Sequence, residues 1–236
     1  MPKRVQHDMI GSMETHNGLL LIDKPTDITS FDIIRRLRKS TGVRKIGHTG
    51  TLDPMATGLM LMLFGSYTKK APEFVGLDKV YEAEMTLGAV STTGDAEGEI
   101  TAVSDNQPSQ GAIELAAAQF VGEIRQTPSK YSAIKIGGVE AYKLARRGQS
   151  FHMPSRNVFV HKLQVTSYKY PVVRFTAHVS SGTYIRTLAE DIGESLKVGA
   201  YLSNLRRTKI GDFDVKNAQN LPDMTTVSLP DHLLTI

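Results

Sequence analysis

The chain has 236 residues, of which 40% are hydrophobic and 22% are charged, a composition typical of a globular protein with one sizeable core. It contains no cysteine, which excludes disulfide frameworks, thiolate nucleophiles, cysteine-bound zinc and iron–sulfur clusters. Its 28 lysines and arginines exceed its 24 aspartates and glutamates, and the resulting net charge of +4 favours an anionic partner.

The sequence carries no membrane-spanning or export signal. The longest apolar run, residues 58–65, is much shorter than the roughly 20 residues of a membrane-spanning helix. Residues 1–17 include Lys3 and Arg4 but no apolar block behind them, so they do not match a secretory signal. We therefore expect a cytoplasmic protein in which residues 1–17 form a flexible N-terminal extension.

The first regular elements are a strand and a helix. An apolar run over residues 18–23 ends at Lys24 and Pro25, which predicts a buried strand that stops in a turn. Thr29 or Ser30 can cap the helix that follows, and its arginines then face solvent. The apolar face of this helix is predicted to consist of Phe31, Ile33, Ile34 and Leu37.

Further along the chain, strands and helices mix without a regular βαβ alternation. Alternating apolar residues predict half-buried strands over 80–87 and 173–179, and residues 91–110 are predicted to form a long acidic loop. Apolar residues at helical spacing predict helices over 113–120 and 185–192. Because no glycine-rich dinucleotide or phosphate loop is present, the pattern favours an α+β fold over a doubly wound nucleotide-binding fold.

Basic residues are clustered in four places that contain no acid. Six of them lie between Asp32 and Asp53, and smaller clusters follow at 69–70, 146–147 and 206–209. A single cluster of this kind usually forms a solvated surface. Four separate clusters favour contacts with phosphates, and therefore a nucleic acid as the anionic partner.

Residues 47–58, GHTGTLDPMATG, form the most unusual segment of the sequence. Three glycines, a proline and several small side chains predict a constrained loop that a ligand can approach closely. The loop contains one carboxylate, Asp53. An aspartate before a proline commonly forms a turn, but a carboxylate among cations also stays ionised and available as a nucleophile.

This loop and several further blocks closely resemble the TruB family of tRNA pseudouridine synthases. The other matching blocks are 18–25 (GLLLIDKP), 78–81 (DKVY), 126–128 (QTP), 131–135 (YSAIK), 181–189 (SGTYIRTLA) and 205–208 (LRRT). They follow the family's order from about residue 18 to residue 211. This collinearity distinguishes the match from an isolated short pattern.

The resemblance implies a pseudouridine synthase fold over residues 18–211, an α+β domain whose mixed, mainly antiparallel central sheet is flanked by helices. It implies isomerisation of uridine 55 in the T loop of tRNA to pseudouridine, with no cofactor and no metal ion. The base has to leave its place in the folded RNA, so we expect the enzyme to flip it into a pocket and stack on it. The partner is then the T arm of tRNA, and the resemblance implies a monomer.

The same resemblance implies roles for five pocket residues. Asp53 matches the family's catalytic aspartate, the nucleophile, and whether it adds to the sugar or to the base stays open. Arg186 matches the arginine that pairs with this aspartate, a task suited to a guanidinium. Tyr81 matches the tyrosine that stacks on the flipped base, although its place in an alternating strand also fits core packing. Tyr184 and Leu205 match apolar pocket positions.

Three further residues are implied around the pocket. His48 matches a histidine that supports RNA binding, and no second histidine or carboxylate stands near it at metal-ligand spacing, so we expect no metal there. Lys24 belongs to the family's Lys-Pro motif and is expected to order the active-site loop or to contact phosphate. Lys135 is a similar candidate.

The sequence departs from many bacterial relatives after the block that ends at Thr208. Those relatives carry a small RNA-binding domain of the PUA type there, whereas this sequence ends at Ile236. Residues 212–236 are therefore expected to form a short C-terminal tail without a PUA domain. We expect tRNA binding to depend on the T arm and on the basic clusters, and to be weaker than with that domain.

Two other functions fit parts of the sequence. The basic clusters suit a non-catalytic RNA-binding protein, but such a protein has no use for Asp53, Tyr81 and Arg186 together. An aspartate near a ribose also suits a nucleoside hydrolase or a glycosidase. Those enzymes generally need a second carboxylate, and no motif supplies one beside Asp53.

Overall fold

The fold is described from a computed structural model that covers residues 16–132, 134–221 and 233–235. The strands are β1 (Gly18–Lys24), β2 (Ile46–His48), β3 (Thr57–Phe64), β4 (Lys79–Leu87), β5 (Ala89–Ser91), β6 (Ile100–Ala102), β7 (Gly122–Gln126), β8 (Lys135–Ile136), β9 (Val139–Glu140), β10 (Arg156–Lys169), β11 (Val172–Val179), β12 (Ala200–Ile210), β13 (Phe213–Asp214) and β14 (Gln219–Asn220). The helices are α1 (Ser30–Thr41), α2 (Ala71–Val75), α3 (Gln110–Ala118), α4 (Ala141–Arg146) and α5 (Ile185–Ser195). None of these helices has the length and apolar character needed to span a membrane.

Within the described residues, ten strands form one mixed sheet, which confirms the predicted α+β fold. The order along the sheet is β14-β1-β3-β12-β4-β11-β10-β7, with β2 paired to β3 and β13 paired to β12. Only the β1–β14 and β3–β12 pairs are parallel, and the other pairs are antiparallel. Buried residues of α1, α3 and α5 join the larger core against this sheet. A smaller core forms around Leu19, Leu61 and Phe74.

Of the two predicted candidates, Thr29 and Ser30, it is Thr29 that caps helix α1. Thr29 Oγ1 accepts the amide of Asp32 at 3.1 Å, and the Asp32 carboxylate accepts the amide of Thr29 at 2.8 Å. Phe31 was expected on the buried face, and this prediction is wrong, because its side chain is 55% exposed. Ser30 faces inward instead, since its hydroxyl bonds both backbone groups of Leu52.

The predicted strands over 80–87 and 173–179 are confirmed as β4 and β11, and the helix predicted over 185–192 is confirmed as α5. Helix α3 ends at Ala118, so Phe120 packs against the core from beyond the helix. The prediction of a continuous loop over 91–110 is wrong in part, because β5 and β6 pair there as a short hairpin. Glycines at its turn, including Gly94 at φ 77°, allow the chain to reverse.

Part of the predicted C-terminal tail is integrated into the sheet. Strand β13 pairs with β12, β14 pairs with β1, and Leu234 exchanges two backbone hydrogen bonds with Leu19 at 2.8 and 2.9 Å. Leu221, just beyond β14, is 3% exposed and belongs to the larger core. Of the predicted N-terminal extension, residues 1–15 lie outside the described part of the chain.

Candidate active site

The loop between β2 and β3 carries Asp53, and a buried lysine holds it through hydrogen bonds to its backbone carbonyls. Lys24 is fully buried, and its Nζ donates to the carbonyls of Pro25 and Pro54, both at 3.0 Å, and of Ala56 at 2.5 Å. Burial lowers the pKa of Lys24 to about 8, and the negative charge of Asp53 opposes this shift. Of the two predicted tasks for Lys24, the geometry favours ordering the loop over contacting phosphate.

Arg207 supports the same loop from β12. It is 2% exposed, its Nε donates to the carbonyl of Leu59 at 2.8 Å, and its Nη2 donates to that of Gly50 at 3.1 Å. The adjacent Arg206 forms a two-bond ion pair with Asp23, at 2.6 and 3.0 Å. The prediction that the 206–209 cluster contacts phosphate is therefore wrong for Arg207, because this side chain is buried behind the loop. It stays a prediction for Arg206, whose side chain is 37% exposed.

The centre of the site is an arginine held between two carboxylates. Arg186 lies in the first turn of α5, is 5% exposed, and donates from Nη2 to Asp53 Oδ2 at 2.5 Å. Its Nη1 lies 2.8 Å from Asp95 Oδ2 and 3.0 Å from the carbonyl of Thr93. Asp95 is itself buried, whereas the Asp53 side chain is 38% exposed. Asp95 and the carbonyl of Thr93 thus hold the guanidinium of Arg186, which pairs with the more exposed Asp53.

Asp53 and Arg186 line a cavity of about 340 Å³. Three other predicted pocket residues line the same cavity: Tyr81, Tyr184 and Leu205. Tyr81 points inward from β4 and is 8% exposed, so it lies between the core and the cavity. The structure thereby brings together five of the predicted site residues from four separate parts of the chain. The cavity therefore has two tyrosine rings and a leucine side chain beside a single carboxylate.

Gln126 at the end of β7 holds Tyr184 in position. Its side-chain amide accepts the backbone N–H of Tyr184 at 3.0 Å and donates to the carbonyl of Tyr184 at 3.2 Å. Arg156 also lines the cavity, donates to the carbonyl of Gly182, and stacks with Cζ 5.0 Å from the centre of the Tyr184 ring. The tyrosine is therefore restrained at both its backbone and its ring.

A second buried lysine, Lys79, reaches the cavity wall. Its Nζ donates to the carbonyls of Leu77 at 2.6 Å and Val75 at 2.7 Å, and it lies 3.4 Å from Ser181 Oγ. Burial, and secondly the charge of Arg207, lower the pKa of Lys79 to about 8. Lys79, Arg156, Arg186 and Arg207 thus line the same cavity as its single carboxylate, Asp53.

Two predicted residues lie beside the cavity rather than in its lining. His48 is in β2, directly before the lining residue Thr49, and its Nδ1 accepts the backbone N–H of Gly50 at 3.3 Å. Burial and the charge of Arg207 lower the pKa of His48. Lys135 is exposed in β8, directly after the lining residue Ile134.

Sequence reasoning missed Asp95, and it did not assign site roles to Lys79, Gln126, Arg156 and Arg207. Asp95 occurs in a polar stretch that was read as a loop, and nothing local distinguishes it from the neighbouring acids. Lys79 and Gln126 stand in blocks that carry the family resemblance, so their position was a usable signal. Arg156 carried no signal, because its partners come from distant strands and turns.

Comparison with known proteins gives a consistent result. The N-terminal domain model of the TruB family pseudouridylate synthases matches residues 38–185, and a C-terminal domain model of tRNA pseudouridylate synthase B matches residues 186–232. The tRNA pseudouridine synthase B of Cupriavidus metallidurans is 45% identical over 207 residues, which are 87% of this chain and 66% of that protein. That of Opitutus terrae is 41% identical over 224 residues, 94% of this chain and 93% of that protein.

Solved structures agree with the sequence comparison. A chain in the crystal structure of a Cbf5–Nop10–Gar1 complex has a TM-score of 0.71 and 28% identity over 89% of this chain. A chain in an H/ACA ribonucleoprotein bound to a substrate RNA containing 2′-deoxyuridine has a TM-score of 0.67 and 26% identity. This chain spans about two thirds of the length of the Cupriavidus relative and 54% of the chain in the Cbf5 complex.

Proposed function

The chain belongs to the TruB family of pseudouridylate synthases, and from that premise we propose that it isomerises uridine 55 in the T loop of tRNA to pseudouridine. The observation that carries the proposal is the exposed carboxylate of Asp53, ion-paired to Arg186 in a cavity lined by tyrosine and leucine side chains. The names of the curated relatives support a tRNA substrate. A tRNA substrate in turn supports a cytoplasmic location and the T arm as the part that is bound.

In this proposal Asp53 is the nucleophile. Its carboxylate attacks either the ribose C1′ or the uracil C6, and the bond between N1 and C1′ breaks. The uracil then turns and C5 bonds to C1′. This displaces Asp53 if it was bonded to C1′, and if it was bonded to C6 it leaves afterwards by elimination. C5 loses its proton, and N1 gains one. Atoms and electrons balance without an oxidant or a reductant, so the reaction is an isomerisation. Arg186 orients the carboxylate, and Asp95 holds Arg186 in turn.

The flipped uracil occupies the cavity beside Asp53. Tyr81 and Tyr184 offer aromatic faces and Leu205 an apolar side, which suits stacking on a base. The buried arrangement of Tyr81 and the double hydrogen bond of Gln126 to Tyr184 keep these rings in place before the substrate arrives. A preformed pocket of this kind lowers the cost of ordering the extruded base.

The cavity favours this function over glycoside hydrolysis. Among its lining residues, Asp53 is the one carboxylate, so a second carboxylic acid for acid–base work is missing from the lining within the described residues. A non-catalytic RNA-binding role remains the second candidate, since the exposed arginines and lysine of α1 suit phosphate contacts.

The first prediction is that Asp53→Asn abolishes turnover and leaves tRNA binding largely unchanged. The substitution removes the nucleophilic charge at nearly constant shape. The measurement is tritium release from an unmodified tRNA transcript labelled at C5 of uridine, with binding followed by gel shift. Wild type should release the tritium of one uridine per tRNA.

Two controls make the result specific. Asp212→Asn alters an exposed aspartate away from the cavity and should release tritium like wild type. A transcript with cytidine in place of uridine 55 should release none. Release from that transcript would contradict the choice of uridine 55, and normal release by Asp53→Asn would contradict the nucleophile. If wild type also binds tRNA without releasing tritium, the result favours the RNA-binding role.

A further inference from the structure

Asp78, His161 and His178 form a cluster on the central sheet, outside the residues that line the cavity. One carboxylate oxygen and two imidazole nitrogens of the cluster all lie within 4.8 Å of one another. Asp78 Oδ2 is 3.0 Å from His161 Nε2 and 3.8 Å from His178 Nε2. The two imidazole rings lie 4.6 Å apart with an interplanar angle of 37°. Both rings therefore direct a nitrogen towards the same carboxylate.

A break in the β10–β11 pairing brings the two histidines together. Val160 faces Val179 across the two strands, but Lys162 rather than His161 is the registered partner of His178. His161 is consequently the extra residue of a β-bulge, and bulges re-aim the side chain that they carry. Both His161 and Lys162 are exposed, whereas regular alternation would bury one of two consecutive residues.

The third group of the cluster comes from another part of the chain. Asp78 directly precedes β4, and its carbonyl accepts the amide of Gly211 at 2.8 Å, which fixes the backbone at this point. The ring of Phe159 lies 4.9 Å from that of His161 and packs against it. The consecutive strands β10 and β11 thus supply the two nitrogens, and the residue before β4 supplies the oxygen, on a backbone held by the sheet.

We propose that Asp78, His161 and His178 bind a divalent transition-metal ion of the zinc type. Two imidazole nitrogens and one carboxylate oxygen are ligands that zinc accepts in proteins. Zinc at about 2.0–2.1 Å from its ligands separates them by roughly 3.3 Å in a tetrahedral site, and the two distances to Asp78 Oδ2 lie on either side of this value. The side chains are 36–44% exposed, so they can close on an ion without disturbing the core, and water completes its shell.

The proposed ion links the start of β4 to β10 and β11, which are separate segments of the sheet. It therefore stabilises the folded state by an amount that grows with the logarithm of the free ion concentration once this exceeds the Kd. Neighbours of the ligands in the chain, Lys79 and Ser180, belong to the cavity lining. The three proposed ligands themselves are not among the residues that line the cavity.

The test is a calorimetric titration of the full chain, treated first with EDTA and then freed of it, with zinc chloride. We expect one zinc ion per chain and a higher Tm when zinc is present. His161→Ala and His178→Ala should each weaken zinc binding by about tenfold or more, since the loss of a residue that only hydrogen-bonds to a metal ligand already weakens metal binding by about tenfold. His152→Ala, an exposed histidine outside the cluster, is the matched control and should bind zinc like wild type.

Magnesium chloride should bind this site far more weakly than zinc, because magnesium prefers an octahedral shell of oxygens. The double variant His161→Gln and His178→Gln, checked by circular dichroism for correct folding, should lose the saturable zinc binding. Retention of that binding by the folded double variant would overturn the proposal, and so would the lack of saturable zinc binding by wild type. Neither outcome bears on tritium release, so the proposed synthase activity is tested separately.

Discussion

At the scale of single residues, buried cations explain how the loop that carries Asp53 keeps its shape. Lys24, Lys79 and Arg207 are each at most 6% exposed, and each donates to backbone carbonyls. A buried charge has to be compensated by such partners, otherwise its desolvation would be prohibitive. If the proposed RNA substrate binds, the same cations offset the repulsion between Asp53 and its phosphates.

Lys24 makes a pH-dependent contribution to stability. Its pKa is about 8 in the folded protein, against 10.5 ordinarily, because burial disfavours the charged form. Between these two values the unfolded chain binds a proton that the folded chain has lost, so the contribution of Lys24 to the free energy of unfolding increases with pH. From about pH 8 to about pH 10.5, we expect the free energy of unfolding of wild type to increase by roughly 2 kcal/mol relative to that of Lys24→Met.

Urea unfolding followed by circular dichroism at several pH values measures this difference. Lys169→Met, at an exposed lysine in β10, is the control and should differ from wild type by an amount that does not change with pH. Parallel pH profiles for wild type and Lys24→Met would show that burial does not lower the pKa of this lysine.

At the scale of elements, α1 joins the loop that carries Asp53 to a basic surface. Its first turn is bonded to the loop through Ser30 and Leu52, while its last turns expose Arg35, Arg36, Arg38 and Lys39. Ile33, Ile34 and Leu37 bury the opposite side of the helix in the core. The helix thus places cations at a fixed orientation relative to Asp53, which suits the phosphates flanking a flipped base.

Neutralising part of this basic face should weaken tRNA binding. For the double variant Arg36→Gln and Lys39→Gln we expect about a tenfold higher Kd. The slope of the logarithm of the binding constant against the logarithm of the salt concentration should become shallower by about one for each lost phosphate contact. Filter binding at several salt concentrations measures both quantities. Lys169→Gln with Lys216→Gln removes the same charge at exposed positions outside α1 and should have little effect, and an equal loss there would argue against a specific role for α1.

The junction of β3 and β12 behind the loop depends on a glycine. Gly58 has φ +103°, and a Cβ at this position would lie 2.2 Å from the carbonyl oxygen of Arg207. We expect Gly58→Ala to lower the free energy of unfolding by roughly 3 kcal/mol or more, because both the left-handed backbone and the backbone contact are affected. Thermal and urea unfolding measure this loss.

Gly148→Ala separates the two causes. Gly148 also has a positive φ, +67°, but no atom lies within 4 Å of the Cβ position. Its substitution should therefore cost only about 1 kcal/mol, the strain of the backbone alone. Equal losses for the two variants would mean that the close approach of β12 to Gly58 contributes nothing.

At the scale of the whole molecule, one sheet carries the cavity, the loop and the C-terminal segments. Strands β13 and β14 and the bridge of Leu234 to Leu19 join residues beyond 211 to the same sheet as the loop. Arg186 from α5 contacts Asp53 from the loop and Asp95 from the β5–β6 turn. The site therefore exists only when the sheet and both of these connections are formed.

The contribution of the C-terminal segment can be measured at Leu221. This side chain is 3% exposed in the larger core, so Leu221→Ala should destabilise the protein by about 2–4 kcal/mol. Leu115→Ala removes the same atoms from a side chain that is 71% exposed and should cost less than about 0.5 kcal/mol. A loss at Leu221 as small as at Leu115 would show that this segment does not share the core.

Local patterns and chemically specific motifs were readable from the sequence. The alternation in β4 and β11, the cap of α1 at Thr29 and the apolar spacing of α5 are short-range properties, because they depend on the residues of one element. The loop around Asp53 was recognisable for a similar reason, since its glycines, proline and small residues are consecutive. The phase of the apolar residues in β10 also changes between Val160 and Leu163, where the bulge lies.

Only the tertiary structure decided which distant groups meet. The pairing of Asp95 with Arg186, the burial of Arg207 behind the loop and the outward direction of Phe31 depend on neighbours from other elements. A charge in the sequence does not show whether water, a phosphate or a buried carboxylate will be its partner, because that depends on what the packed sheet places beside it. The sequence alone therefore determined the family, part of the elements and the candidate nucleophile, but not the two longest strands, β10 and β12. The packing of the sheet determined the electrostatic surroundings of the nucleophile.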